Sequence, residues 1–229
     1  MPRRLMNIGE SLREHVKPGN HVLCIGPGIP FVDGAPLIAS HLVGRRGRVT
    51  IMDSQATRRG EKVGTYSEGQ SLGDLGKFRT AIKRLEEKGA IKRPDYILGD
   101  FRALPIADSS VDAVVEQNLS ACLRSGREMK RVLDGYHRVL KPGGVAFIVV
   151  NEINPEIVNY RDLRKIMKYS LLGSGFNIVQ TKRVSGQSGI DDVPGFKGVT
   201  DRSLDLLRKF DRMKKSVGTF VIIAKKQMG

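Results

Sequence analysis

Apolar residues fall along this chain in two alternating patterns: short uninterrupted runs, and stretches with apolar positions three or four apart. Ile8, Leu12 and Val16 share one helical face, and Lys17-Pro-Gly-Asn20 ends that helix. Val22-Leu-Cys-Ile25 is wholly apolar, as expected of a central parallel strand covered on both faces. Asp33 and Pro36 mark the start of a helix running through Leu42-Val43. Gly44-Arg-Arg-Gly47 then turns the chain into a strand, Arg48–Met52, closed by Asp53. Residues 54–73 are polar, Gly-rich and aperiodic, and read as an inserted loop. Leu75, Phe78, Ile82 and Leu85 define the next helix face, with Gly89 as its cap. Strands follow at Tyr96–Leu98 and Val111–Val115, then a helix over 124–140 whose stripe is Met129, Val132, Leu133, Tyr136 and Leu140. Val145–Val150 is a fifth strand, Tyr160–Leu172 a basic amphipathic helix and Phe176–Val179 a sixth strand. A polar loop (184–200), a helix (201–214) and a strand, Gly218–Ala224, close the chain.

Strand and helix alternate five times, and helical crossovers between buried strands demand parallel pairing with right-handed connections. The expectation is an α/β fold: a doubly wound, mostly parallel sheet of seven strands with an antiparallel edge. It occupies a single domain over 1–229, with an insertion at 54–73 and a lid at 184–200. A length of 229 residues, 40% hydrophobic and 28% charged, suits one full core. Cys24 and Cys122 lack the spacing of a disulfide framework or zinc site, which suits a reducing compartment. No apolar run approaches the ~20 residues of a membrane span. Met1-Pro-Arg-Arg-Leu-Met lacks a signal-peptide core, so a cytoplasmic location is expected. His15, His21 and His41 stand at no metal-ligand spacing, and no metal is expected. The charge changes the picture more: 39 Lys plus Arg against 24 Asp plus Glu give +15 and a pI near 10.1. Such an excess suits polyanions or an anionic small molecule, and a basic solvated surface accounts for it equally well.

In open α/β sheets the ligand lies outside the carboxyl ends of the strands, where the strand order reverses. The unusual residues of this chain fall at those ends. Gly26-Pro-Gly28 follows the first strand, and glycine lets backbone approach a ligand that a Cβ would block. Asp53 stands where an acid can accept from two ribose hydroxyls, or where it caps a turn. Asp100 can accept from an adenine amino group with Phe101 against the ring, or form an Asx-turn. The three together are far more specific than any one.

With these residues in view, the chain resembles the class I S-adenosylmethionine-dependent methyltransferases, in the branch that includes ubiquinone and menaquinone biosynthesis enzymes. The resemblance is carried by Val22–Gly28, Gly47-Arg-Val-Thr-Ile-Met-Asp53, Gly99-Asp-Phe-Arg-Ala-Leu-Pro-Ile-Ala-Asp-Ser-Ser-Val-Asp-Ala-Val114 and Tyr136-His-Arg-Val-Leu-Lys-Pro-Gly-Gly144. It implies S-adenosylmethionine as cofactor, with Gly26 and Gly28 at the methionine end, Asp53 at the ribose, Asp100 with Phe101 at the adenine, and Ile25 and Ser54 among the cofactor contacts. Gln117 would lie near the sulfonium, and Glu116, Asn118 and Tyr66 are candidate contacts to a small-molecule acceptor. Cys24 stands where the family has an acid and Pro30 where it has a third glycine, and Phe31-Val-Asp-Gly34 is added, Asp33 being a candidate replacement acid. Methyl transfer needs mainly in-line positioning, so no unique catalytic signature is expected and no catalytic residue is assigned. Two other readings compete: an RNA methyltransferase, favoured by the charge, and a non-catalytic S-adenosylmethionine-binding regulatory module, motivated by the altered first motif. A nicotinamide dehydrogenase fits less well, for want of the third glycine.

Overall fold

A computed structural model describes residues 6–26, 34–53, 82–117, 123, 125–151, 159–185, 189–193, 196 and 218–228. Its elements are α1 (Ile8–His15), β1 (His21–Ile25), α2 (Ala35–Val43), β2 (Arg48–Asp53), a helical stretch α3 (82–87), β3 (Asp95–Leu98), β4 (Val111–Gln117), α4 (Gly126–Val139), β5 (Leu140–Asn151), α5 (Tyr160–Gly173), β6 (Phe176–Ser185) and β7 (Gly218–Lys226). The seven strands form one sheet in the order β3-β2-β1-β4-β5-β7-β6. β1 pairs parallel with β2 and β4, β2 with β3, and β4 with β5, while β7 runs antiparallel to both neighbours.

The doubly wound, mostly parallel sheet expected from the sequence is therefore present, with one refinement. β7 inserts between β5 and β6, so β6 is the outer strand. The reason lies in composition. Val221, Ile222, Ile223 and Ala224 are fully buried, whereas only Phe176 and Val184 of β6 are buried and the strand is largely polar, as suits an edge. β6 also extends to Ser185, well past the expected Val179, because β7 supplies a partner along its whole length.

Successive strand residues alternate between two cores. Val22, Cys24, Val49, Ile51, Ala113, Val115, Phe147 and Val149 face α1, α2 and α3. Leu23, Ile25, Met52, Val114, Ile148 and Val150 face α4 and α5. α1 opens on a reciprocal cap: the Asn7 side chain accepts from the Glu10 N–H at 2.7 Å, and the Glu10 carboxylate accepts from the Asn7 N–H at 2.7 Å. α2 begins one residue after Gly34, with Pro36 in its first turn as expected; Asp33 lies outside the described residues. Ile190, Val193 and Phe196, from the segment expected as a lid, are buried in the α1–α2 core, and Phe196 meets the His41 ring edge-on at 6.1 Å.

Candidate active site

The order reverses between β1 and β4, which puts the candidate crevice at their carboxyl ends. Ile25 ends β1, buried and paired with Met52 on one side and Glu116 on the other. At Gly26 the chain leaves the strand with φ of +56°, a conformation that favours glycine, while its N–H still donates to the Met52 carbonyl at 3.0 Å. The backbone thus turns sharply at the rim. Asp53 closes β2 opposite Leu98 in β3, which brings the acid's backbone to the same rim.

The segment after β3 is held by a bridge that pattern reading alone misses. The Asp100 Oδ1 accepts from the Arg102 N–H at 2.9 Å, an Asx-turn, and from the Arg102 Nη1 at 3.3 Å. Arg102 Nε donates to Glu128 Oε1 on α4 at 2.6 Å, and the guanidinium lies over the Phe101 ring at 4.5 Å. Glu128 foremost, then Asp100, raises the Arg102 pKa further above its ordinary value. Arg138, also on α4, donates to the Leu104 carbonyl at 2.8 Å, to the Ile106 carbonyl at 2.9 Å and to the Asp108 carboxylate. Two arginines thus tie the 100–108 hook to one helix, fixing Asp100 before any ligand arrives. Asp100 Oδ2 has no partner among the described residues, and the side chain is exposed. Phe101 is buried, with the Arg102 guanidinium over its ring.

β4 runs to Gln117, two residues past the expected end, so Glu116 and Gln117 are both strand residues. Alternation sends them to opposite faces. Glu116 projects into the α4–α5 core and lines a cavity of about 10 Å³ with Leu123, Met129, Val132, Leu133, Tyr136, Ile148 and Met167. Such a space is close to the least that admits one water. Burial, and then the nearby Glu116 charge, pushes the Tyr136 phenol well above its ordinary pKa, and its hydroxyl has no hydrogen-bond partner among the described residues. Tyr136→Phe is accordingly expected to leave stability unchanged or to raise it by about 1 kcal/mol in urea denaturation. A clear loss would mean that the hydroxyl has a partner after all.

Gln117, level with the Gly26 turn, is 2% exposed, and neither its amide oxygen nor its nitrogen is hydrogen-bonded among the described residues. A buried amide with both ends unsatisfied, at the point where the strand order reverses, is what a polar ligand would complete. The nearby Cys24 cannot stand in for an acid: burial in the α1–α2 core pushes its thiol up to about 12. His137 is remote from this rim, edge-on to Phe176 at 5.3 Å, its pKa lowered by burial. Gly28, Pro30, Ser54, Tyr66, Asn118 and the side chain of Asp53 lie outside the described residues.

A seven-stranded sheet of this order, with its crevice lined from β1 to β4, defines the class: a Rossmann-like methyltransferase fold. The solved S-adenosylmethionine-dependent methyltransferase from Aquifex aeolicus superposes with a TM-score of 0.60 at 17% identity, over 96% of this chain and 90% of that one. Residues 76–148 match the family model described as a methyltransferase domain. The demethylmenaquinone methyltransferase of Renibacterium salmoninarum is 36% identical over 110 residues, 44% of this chain and 45% of that protein. Its namesake from Paenarthrobacter aurescens is 31% identical over 129 residues, 52% of this chain and 49% of that protein. The chain thus has the fold of the class I S-adenosylmethionine-dependent methyltransferases and is similar to them in sequence, with the methyltransferase domain matched over residues 76–148, and its alignments span about half the length of these curated relatives.

Proposed function

We propose that this chain transfers a methyl group from S-adenosylmethionine to a small, lipophilic acceptor of the quinone type. The observation that carries the proposal is the unsatisfied, buried Gln117 amide level with the Gly26 turn. Bound S-adenosylmethionine would supply a methyl group already activated on a sulfonium, leaving the protein to position it. In this reading Gly26 lets the backbone approach the methionine end, and Asp53 accepts from the ribose hydroxyls. Asp100 Oδ2 accepts from the adenine amino group, held in place by Arg102, and Gln117 supplies its amide beside the sulfonium. The acceptor class is supported by the relatives' names, both given for demethylmenaquinone.

Calorimetric titration with S-adenosylhomocysteine, followed by methyl labelling with demethylmenaquinone as acceptor, tests the two halves in turn. Binding together with a labelled quinone is the expected result. No binding would overturn the cofactor half, and binding without label would overturn the acceptor. The net charge of +15 favours RNA as a second acceptor, which predicts RNA retention falling steeply with salt.

A further inference from the structure

α5 buries Leu163, Met167 and Leu171 toward the sheet and α4, and its opposite face is unlike an ordinary solvated helix face. Ile166, Tyr169 and Leu172, three residues apart, are 43%, 74% and 54% exposed. Together they make one apolar strip along the outside of the helix. Around the strip stand Arg161, Lys165 and Lys168, none with an ion-pair partner among the described residues. The acid on this face, Asp162, belongs to the first turn and accepts from the Asn159 side chain at 2.7 Å. Ile166 adjoins the start of α4, where a Cβ on Gly126 would lie 3.7 Å from it, and α4 adds the exposed Arg127 and Arg131. Met228, 81% exposed, lies at the other end, beyond Gln227, whose N–H donates to the Gly175 carbonyl just past α5.

We infer that this face lies on an anionic lipid surface. An exposed apolar strip costs solubility and tends to mark a contact surface. Apolar and aromatic side chains flanked by uncompensated Lys and Arg match an interface whose headgroups are negative and whose acyl boundary is apolar. Tyrosine suits that depth, with an apolar ring and a polar tip. No helix among the described residues is long and apolar enough to cross a membrane. The inference is independent of which acceptor is methylated.

The chain has no tryptophan, so Tyr169→Trp places a single reporter on this face. With the full chain, vesicles of equal parts phosphatidylcholine and phosphatidylglycerol should shift its emission to the blue, and phosphatidylcholine alone should not. Adding Lys165→Glu and Lys168→Glu should weaken binding at least about thirtyfold, and raised salt should weaken it too. Leu172→Ser should reduce the shift; all these positions are exposed or partly exposed, and unchanged urea denaturation will show that the variants fold. No shift with anionic vesicles overturns the inference, as does a shift indifferent to lipid charge. A shift produced by protein concentration alone would mean a second copy covers the face. RNA that binds, competes with vesicles and depends on the same two lysines would make this a nucleic-acid surface instead.

Discussion

Asp53→Ala is expected to weaken S-adenosylhomocysteine binding by about tenfold to a hundredfold while leaving the unfolding midpoint close to that of the unaltered chain. A hydrogen bond to a charged group contributes about 1.5–3 kcal/mol, and each 1.4 kcal/mol is about tenfold in affinity. The position is set by the backbone: Asp53 pairs with Leu98 one residue beyond Met52, whose carbonyl accepts from the Gly26 N–H. An acid there sits at the same rim as the turn and the Asp100 hook. Calorimetry and thermal unfolding on the same variant separate this role from a capping role. A cap lost to alanine would cost about 1 kcal/mol of stability and leave affinity alone. That second pattern would take Asp53 out of the site.

Gly47→Ala is expected to destabilise the fold by about 3 kcal/mol, as measured by urea denaturation. Gly47 lies in the turn that hands α2 to β2, and a Cβ placed there would come within 2.3 Å of the Val43 Cβ and 2.7 Å of the Asn20 and Val43 carbonyl oxygens. Two of these three atoms are backbone, so no rotamer change relieves the overlap. The turn is also held from outside. Arg48 N–H donates to the same Asn20 carbonyl at 2.9 Å, and Lys92 Nζ donates to the Gly47 carbonyl at 3.0 Å. Moving the turn therefore strains the junction of β1, β2 and the segment before β3. A loss below about 1 kcal/mol would show that the turn rebuilds in another geometry.

Several elements expected from the sequence appear with nearly the same bounds, because their signals are local. α1 shows its 3.6-residue period and its Asn7 cap within ten residues, and β1 is an unbroken apolar run. The candidate site is legible to the extent that it depends on strand ends: Gly26, Asp53 and Asp100 each follow a strand recognisable by composition. Arg102 was missed because its role is set by Glu128, twenty-six residues on and on another element. Ser125 caps α4 by accepting from the Glu128 N–H, and nothing in the local pattern discloses that the Glu128 carboxylate turns toward Arg102.

What the sequence determined by itself is the alternation of elements, the wholly apolar strands that demand cover on both faces, and the absence of an ionisable acid at Cys24. These are properties of residue type and spacing along the chain, and they hold before anything folds. Tertiary structure decided the rest: that β7 slips between β5 and β6, and that Phe196 goes under α2 against His41. It also decided that Glu116 and Gln117, adjacent in the chain, serve opposite faces of the sheet. The reason is that periodicity fixes which face a residue takes relative to its neighbours in the chain. Which strand lies alongside, and what fills the space beyond, depend on pairings between segments far apart in sequence.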